Sequence, residues 1–330
     1  MTILLWSLTA AQLKLNGAGA TFPYVIYSKW FDVYSKKSGV EFNYQSIGSG
    51  GGIKQVTEGT VDFGASDAPM TDQQLADAKQ KQGTDILHIP TVMGAVVVTY
   101  NFSGGVKGLK LTPEVLAGMF LGEITMWNDP KIVAVNPGLS LPELSIIVAH
   151  RSDGSGTTSI FTDYLAKVSK TWDQKVGKGT SVNWPAGLGG KGNEGVAGLV
   201  KQSDGAIGYV ELAYAVKNKL PYAMLRNKAG NFVDATFDAV SSAAAMKNMP
   251  DDLRVSLTDA DGKESYPISG FTWLLVYRNM NDKGKAKALV TFLKWAMVDG
   301  QSYAKDLYYA PLPKDVIKLC NKKIGAISTE

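Results

Sequence analysis

The chain has 330 residues, 45% of them hydrophobic and 19% charged, enough for about two domains of ordinary size and too apolar for disorder. Its net charge of +4 is scattered over isolated lysines, which excludes a basic nucleic-acid-binding arm; a single cysteine, Cys320, excludes an internal disulfide or a cysteine metal cluster. No stretch approaches ~20 uninterrupted apolar residues, so no transmembrane span is expected.

Residues 1–12 (MTILLWSLTAAQ) join a short apolar run to small residues and read as a residual or partial export signal that lacks the positive n-region. From Gly17 strands and helices alternate. The segment PYVIYSKWFDVYSKKSG carries Val25 or Ile26, Trp30 and Val33 at helical spacing, with Pro23 suited to the first helical position and Gly39 to the stop. VEFNYQS alternates apolar and polar residues as a strand does, a short helix follows SGGG, and VDFGAS reads as the next strand. Further strands are predicted at Thr91–Asn101, Leu144–His150, Gly205–Glu211 and Phe271–Arg278, and Thr112, Pro113 and Glu114 supply the cap, first-turn proline and first-turn acid of a helix. Strands separated by helices imply an α/β fold with parallel sheets. The apolar runs Val92–Tyr100 and Phe271–Tyr277 are candidate crossovers between domains.

Three stretches share one grammar: NGAGATFPYVIY, SIGSGGGIKQV and RSDGSGTTSIF each place glycines and a hydroxyl just before a helix. A helix N-terminus leaves backbone N–H groups unpaired beside a partial positive charge, glycine permits close approach, and Ser or Thr adds a hydroxyl donor. Each loop alone is also an ordinary helix cap. Three in one chain, one of them bearing Arg151, point towards an anion cage, because a guanidinium grips an oxyanion through two parallel N–H groups. Asp67, in VDFGASDAP, follows a strand where ligand residues of open α/β sheets gather; it is either a turn aspartate or an acceptor for an anion that carries a proton.

Other patterns are set aside. GLGGKG at residues 187–192 fits G-x-G-x-x-G but follows NWPA instead of a strand, and Gly192 stands where a nucleotide phosphate loop needs Ser or Thr. Neither Ser155 nor Ser49 lies in G-x-S-x-G, and the two histidines, His88 and His150, stand far apart, His150 reading as structural. No His and acid cluster has metal-ligand spacing.

Taken in order, GAGATFPYVIYSKW, YQSIGSGGGIKQV, VDFGASDAPM, HRSDGSGTTSIFTDYL, WPAGLGGKGNEGVAGLV and GAIGYVELAYA closely resemble the periplasmic phosphate-binding proteins of bacterial high-affinity phosphate ABC transporters, from about Leu15 to about Pro313. The resemblance implies a two-lobed α/β periplasmic binding protein of the type II-like kind, with ligand in the inter-lobe cleft. The division it suggests is 13–91 plus 268–330 for lobe I and 92–267 for lobe II. It implies Thr21 and Phe22 as donors, Ser49 as hydroxyl, Asp67 as acceptor, Arg151 as charged ligand, Ser155, Gly156 and Thr157 as further donors, and Asp153 as partner of Arg151. Gly50 stands where family members often have another Ser. The expected function is high-affinity capture of inorganic phosphate in the periplasm and delivery to membrane permease subunits, by a monomer with no cofactor, no metal and no enzymatic activity. Arsenate, another protonated tetrahedral oxyanion, is the alternative ligand, and a phosphate-ester hydrolase using Ser155 or Thr157 the alternative class. Sulfate, fully ionised, would set two acceptors against each other at Asp67.

Overall fold

The computed structural model describes residues 12–102, 105–245 and 249–330; apart from Gln12, the segment read as an export signal lies outside the described residues. The first elements are β1 (Lys14–Gly19), α1 (Tyr24–Ser38), β2 (Glu41–Ser46), α2 (Ser49–Glu58), β3 (Phe63–Ser66), α3 (Asp72–Gln82) and β4 (Ile86–Tyr100). Then come β5 (Lys110–Leu111), α4 (Pro113–Phe120), α5 (Pro130–Val135), β6 (Ile147–Arg151), α6 (Gly156–Val168), α7 (Lys170–Lys175), β7 (Leu188–Gly190), α8 (Gly192–Gln202) and β8 (Ala206–Glu211). The chain closes with α9 (Leu212–Lys217), β9 (Met224–Arg226), β10 (Phe232–Val233), α10 (Phe237–Ala243), β11 (Ser269–Tyr277), α11 (Lys283–Met297) and α12 (Lys314–Ile324).

Local chemistry accounts for many of the ends. Pro23 sits at the N-cap of α1, one residue earlier than its first-position reading, and Gly39 ends the helix at φ 73°, a left-handed conformation that suits glycine. Thr112 caps α4 through Val115 N–H, with Pro113 in the first turn. Thr71 and Gln74 form a reciprocal capping box at the start of α3.

The main sheet runs β2-β1-β3-β11-β4-β8-β6-β7. Strands β1, β2 and β3 are parallel, as are β6, β7 and β8, so the alternation rule holds within each half. The sheet as a whole is mixed and not parallel: β4 runs antiparallel to β8, and β11 antiparallel to both β3 and β4. The reason is topological, since β4 carries the chain out of one half and β11 brings it back. Along β4, residues Ile86–Ala95 pair with β11 and Val96–Tyr100 with β8, which makes it a crossover strand as its sequence suggested. A small sheet of order β10-β9-β5 stands apart.

Each half has its own aromatic core. Tyr27, Trp30, Phe31, Phe42, Phe292 and Trp295 pack together beside β1 and β2, with the Phe31 and Phe42 rings stacked 4.6 Å apart. Phe120, Phe161, Trp172, Trp184 and Tyr209 fill the other half, with Phe161 and Tyr209 stacked at 4.3 Å. Such pairs pack the helices of each half against its strands.

Candidate functional site

The loops that leave the strand ends meet at the line between the halves. One half contributes the β1–α1 loop with Thr21 and Phe22, the start of α2 with Ser49, and Asp67 just beyond β3. The other contributes the β6–α6 loop from Arg151 to Thr157 and the β7–α8 turn. Thr21, Ser49, Asp67, Arg151, Ser155 and Thr157 are all buried, although each is polar.

Their hydrogen bonds have a common direction. Thr21 Oγ1 accepts from Asn193 N–H at 3.2 Å and from Asn193 Nδ2 at 2.7 Å. Thr157 Oγ1 accepts from Asn193 Nδ2 at 3.1 Å and Arg151 Nη1 at 3.3 Å. Ser155 Oγ, the N-cap of α6, accepts from Thr158 N–H at 3.0 Å. Each hydroxyl takes a donor from its neighbour and keeps its own proton to give. Gly156 and Thr157, in the first turn of α6, add backbone N–H groups that have no partner within the helix.

Arg151 is held flat. Its Nε and Nη2 donate to the two carboxylate oxygens of Asp153 at 2.8 and 2.6 Å, the pairing the resemblance implied. Tyr209, stacked in the core, anchors the same strand end by accepting from Arg151 N–H at 3.1 Å. Burial acts to raise the Asp153 pKa, but the hydrogen bonds and charge of Arg151 and the Gly192 amide hold it below its ordinary value. Arg151 is thus neutralised on one side only.

Asp67 is placed differently. Burial pushes its carboxyl up to about 7, against the opposing pull of Thr272, Arg151 and Ser49. Its Oδ1 accepts from Thr272 Oγ1 at 2.7 Å, and its Oδ2 from Ser49 Oγ at 3.3 Å. The Cα of Gly156 lies directly against it: a Cβ there would fall 2.5 Å from Asp67 Oδ2 and against Ser49 Oγ.

The halves also touch directly. Gly50 N–H donates to Gly154 O at 2.8 Å, and Tyr214 OH donates to Thr21 O at 2.7 Å. Tyr309 OH donates to Phe22 O at 2.7 Å, fixing the turn into α1. A Cβ on Gly50 would lie 3.1 Å from Gly154 Cα, a tight approach that suits glycine at this position.

The structure therefore brings all nine expected residues into one neighbourhood. It adds Asn193, Thr272, Tyr209 and Tyr214, which sequence reasoning missed. The segment set aside as a nucleotide motif forms β7 and the turn into α8, and it serves the site through Gly192, whose N–H donates to Asp153; Asn193, the next residue, bridges the halves. His150 stacks on Trp184 at 4.8 Å, and His88 accepts from Met70 N–H at 2.9 Å, its pKa lowered to about 3, mainly by burial. Among the described residues no cluster of His, Cys, Asp or Glu could hold a metal ion.

Two sheet halves linked by crossover strands, with helix N-termini and one guanidinium converging between them, define a two-lobed periplasmic binding protein. A PBP superfamily domain model matches residues 7–299. The phosphate-binding proteins PstS of Xylella fastidiosa (strain 9a5c) and Pasteurella multocida (strain Pm70) are each 45% identical, over 93% of this chain and 84% of the first and 95% of this chain and 90% of the second. The chain belongs to this family of PstS phosphate-binding proteins. A high affinity periplasmic phosphate-binding protein solved with phosphate bound superposes with a TM-score of 0.74 at 22% identity, covering 93% of this chain and 92% of its own, and so shares the fold.

Proposed function

We propose that this protein captures inorganic phosphate with high affinity between its lobes and delivers it to the membrane permease subunits of a phosphate ABC importer. In this reading it is an exported, monomeric solute-binding protein and not an enzyme. Lobe I comprises residues 13–91 and 268–330 and lobe II residues 92–267, a division supported by the exchange of pairing partners within β4. The names of the 45% identical relatives support phosphate as ligand. Thr21, Phe22, Ser49, Asp67, Arg151, Ser155, Gly156 and Thr157 contact it, and Asp153 orients Arg151.

The observation that carries this reading is the common direction of the hydroxyls. Thr21, Ser155 and Thr157 each accept from a neighbour, so three O–H protons remain for a bound anion. Stripping water from phosphate costs several kcal/mol, and each hydrogen bond to a charged group returns about 1.5–3 kcal/mol, so a cage of many donors offsets the cost with one guanidinium. Asp67 then reads the ligand's proton. In its ionised form it accepts the hydroxyl of monohydrogen phosphate, whereas sulfate would oppose it with a second acceptor. Arsenate carries the same proton, and this device does not reject it.

Ester hydrolysis by Ser155 or Thr157 has less support, since each catalytic hydroxyl would need a base. His150 is engaged by Trp184 and the Arg151 carbonyl, and His88 by the Met70 amide. Calorimetric titration of the purified protein with phosphate, sulfate and arsenate tests the proposal. Phosphate must bind one per chain, and a chain that takes sulfate equally well refutes the role of Asp67.

A further inference from the structure

We propose that residues 249–258 form an arm of lobe II that clasps lobe I when the cleft is shut, with Arg254 as its positioning residue that slows the escape of phosphate. This rests on the phosphate reading and lobe division proposed above.

Both ends of the arm belong to lobe II. It follows α10, and the chain beyond it returns to the same lobe, where Tyr266 N–H donates to Ala239 O at 3.0 Å and Asn227 Nδ2 donates to Ser265 O at 3.1 Å. Between these anchors the chain reaches over to the other lobe. Leu253 is fully buried at its tip and holds a left-handed φ of 63°, a costly backbone for a leucine that persists only where surrounding contacts fix it. Its carbonyl accepts from Trp273 Nε1 at 2.9 Å, in the part of β11 that pairs with β3.

Arg254 makes the most extensive grip. Its Nη1 donates to Met70 O at 2.7 Å, its Nη2 to Asp72 Oδ1 at 2.6 Å, and its Nε to Asp252 Oδ2 at 2.9 Å. Met70 and Asp72 stand on the segment that runs from Asp67 into α3, so the guanidinium holds the lobe I loop that carries the proton-reading carboxylate. On the lobe II side, Ser256 Oγ and Thr258 Oγ1 donate to Asp163 Oδ2 at 2.7 and 2.6 Å. Asp163 lies on α6, the helix that begins at Gly156. The arm thus joins the two loops that oppose each other across the anion site. It also walls a cavity of about 280 Å³ that reaches Asp67, with Ile160, Val255, Leu257 and Phe271 among its lining.

The clasp exists only when the lobes meet, so its loss should show in phosphate release and not in the folding of the empty protein. The Asp72 carboxylate is 89% exposed, so salt weakens the pair. The experiment is stopped-flow release of phosphate from native protein, Arg254→Met and Arg254→Lys at low and high salt, with thermal melts of each in the absence and presence of phosphate. Arg254→Met should release phosphate roughly tenfold faster, as expected for a lost hydrogen bond to a charged donor. Arg254→Lys should fall between, native release should quicken with salt more than the Met variant's, and the phosphate-free melts should coincide. Release rates within twofold of native, or an equal drop of both melts, would overturn the clasp. A native protein that shows no phosphate-dependent melting shift would overturn the phosphate reading, and the clasp with it.

Discussion

Adding one methyl at Gly156 should prise the lobes apart. The residue opens α6 in one half of the fold, and a Cβ there would stand 2.5 Å from Asp67 Oδ2 and 2.6 Å from Asp67 Cβ, just beyond β3 in the other half, where ordinary contact begins at 3.4 Å. Relief needs a separation of roughly 1 Å, by the difference between those distances and van der Waals contact. Overpacking of this kind costs about 1–3 kcal/mol, which is roughly a 5- to 150-fold loss of phosphate affinity. The empty protein escapes the clash by opening, and alanine is the better helix former by up to about 1 kcal/mol. Gly156→Ala should therefore weaken phosphate in calorimetry while its phosphate-free melting temperature stays at or above native. An affinity within twofold of native would refute the closed geometry, and an equal loss of stability with and without phosphate would show that the contact is not between moving lobes.

Asp67 sets a pH dependence in the empty protein. In the shut geometry, where burial raises its carboxyl from 3.8 to about 7, the folded chain holds a proton that the unfolded chain releases, so stability falls as pH rises between these values, by at most about 4 kcal/mol and by less in proportion to the time the empty cleft stands open. Asp67→Asn should flatten that slope in denaturant titrations without phosphate, and an unchanged slope would contradict the assignment. Arg151→Met should abolish phosphate binding, a loss of at least about a hundredfold, and should also lower the melting temperature by leaving half-buried Asp153 without its guanidinium. Binding within tenfold of native would remove Arg151 from the cage.

The loops of the site were legible because their chemistry is local. Glycines, hydroxyls and Arg151 lie in short runs before helices, and the runs Val92–Tyr100 and Phe271–Tyr277 stood out as candidate crossovers because strands buried on both faces lose their polar alternation. What escaped is long-range. Asn193 meets Thr21 across 172 positions, and Thr272 meets Asp67 across 205, so neither partner is visible from its own neighbours. Strand β1 escaped for another reason: its KLNGAG sequence has poor strand propensity. Its glycines answer to packing, since a Cβ on Gly17 would enter the Phe63 ring and Gly19 adopts φ 146° against Ala65. The parallel-sheet expectation failed at β4 and β11 because a local rule about strand and helix alternation carries no information about a chain that leaves one lobe and later returns to it.

Selection of a protonated tetrahedral anion by this cage is tested most directly by calorimetric titration with phosphate and sulfate at one pH near 8, on the native protein and on Asp67→Asn. Native protein should bind phosphate at one site per chain and sulfate weaker by at least about a thousandfold, as expected when buried acceptors are left facing each other. Asp67→Asn, which offers an amide donor, should lose phosphate affinity and narrow that ratio. Equal affinity of the native protein for the two anions, or an unchanged ratio in the variant, would contradict the account.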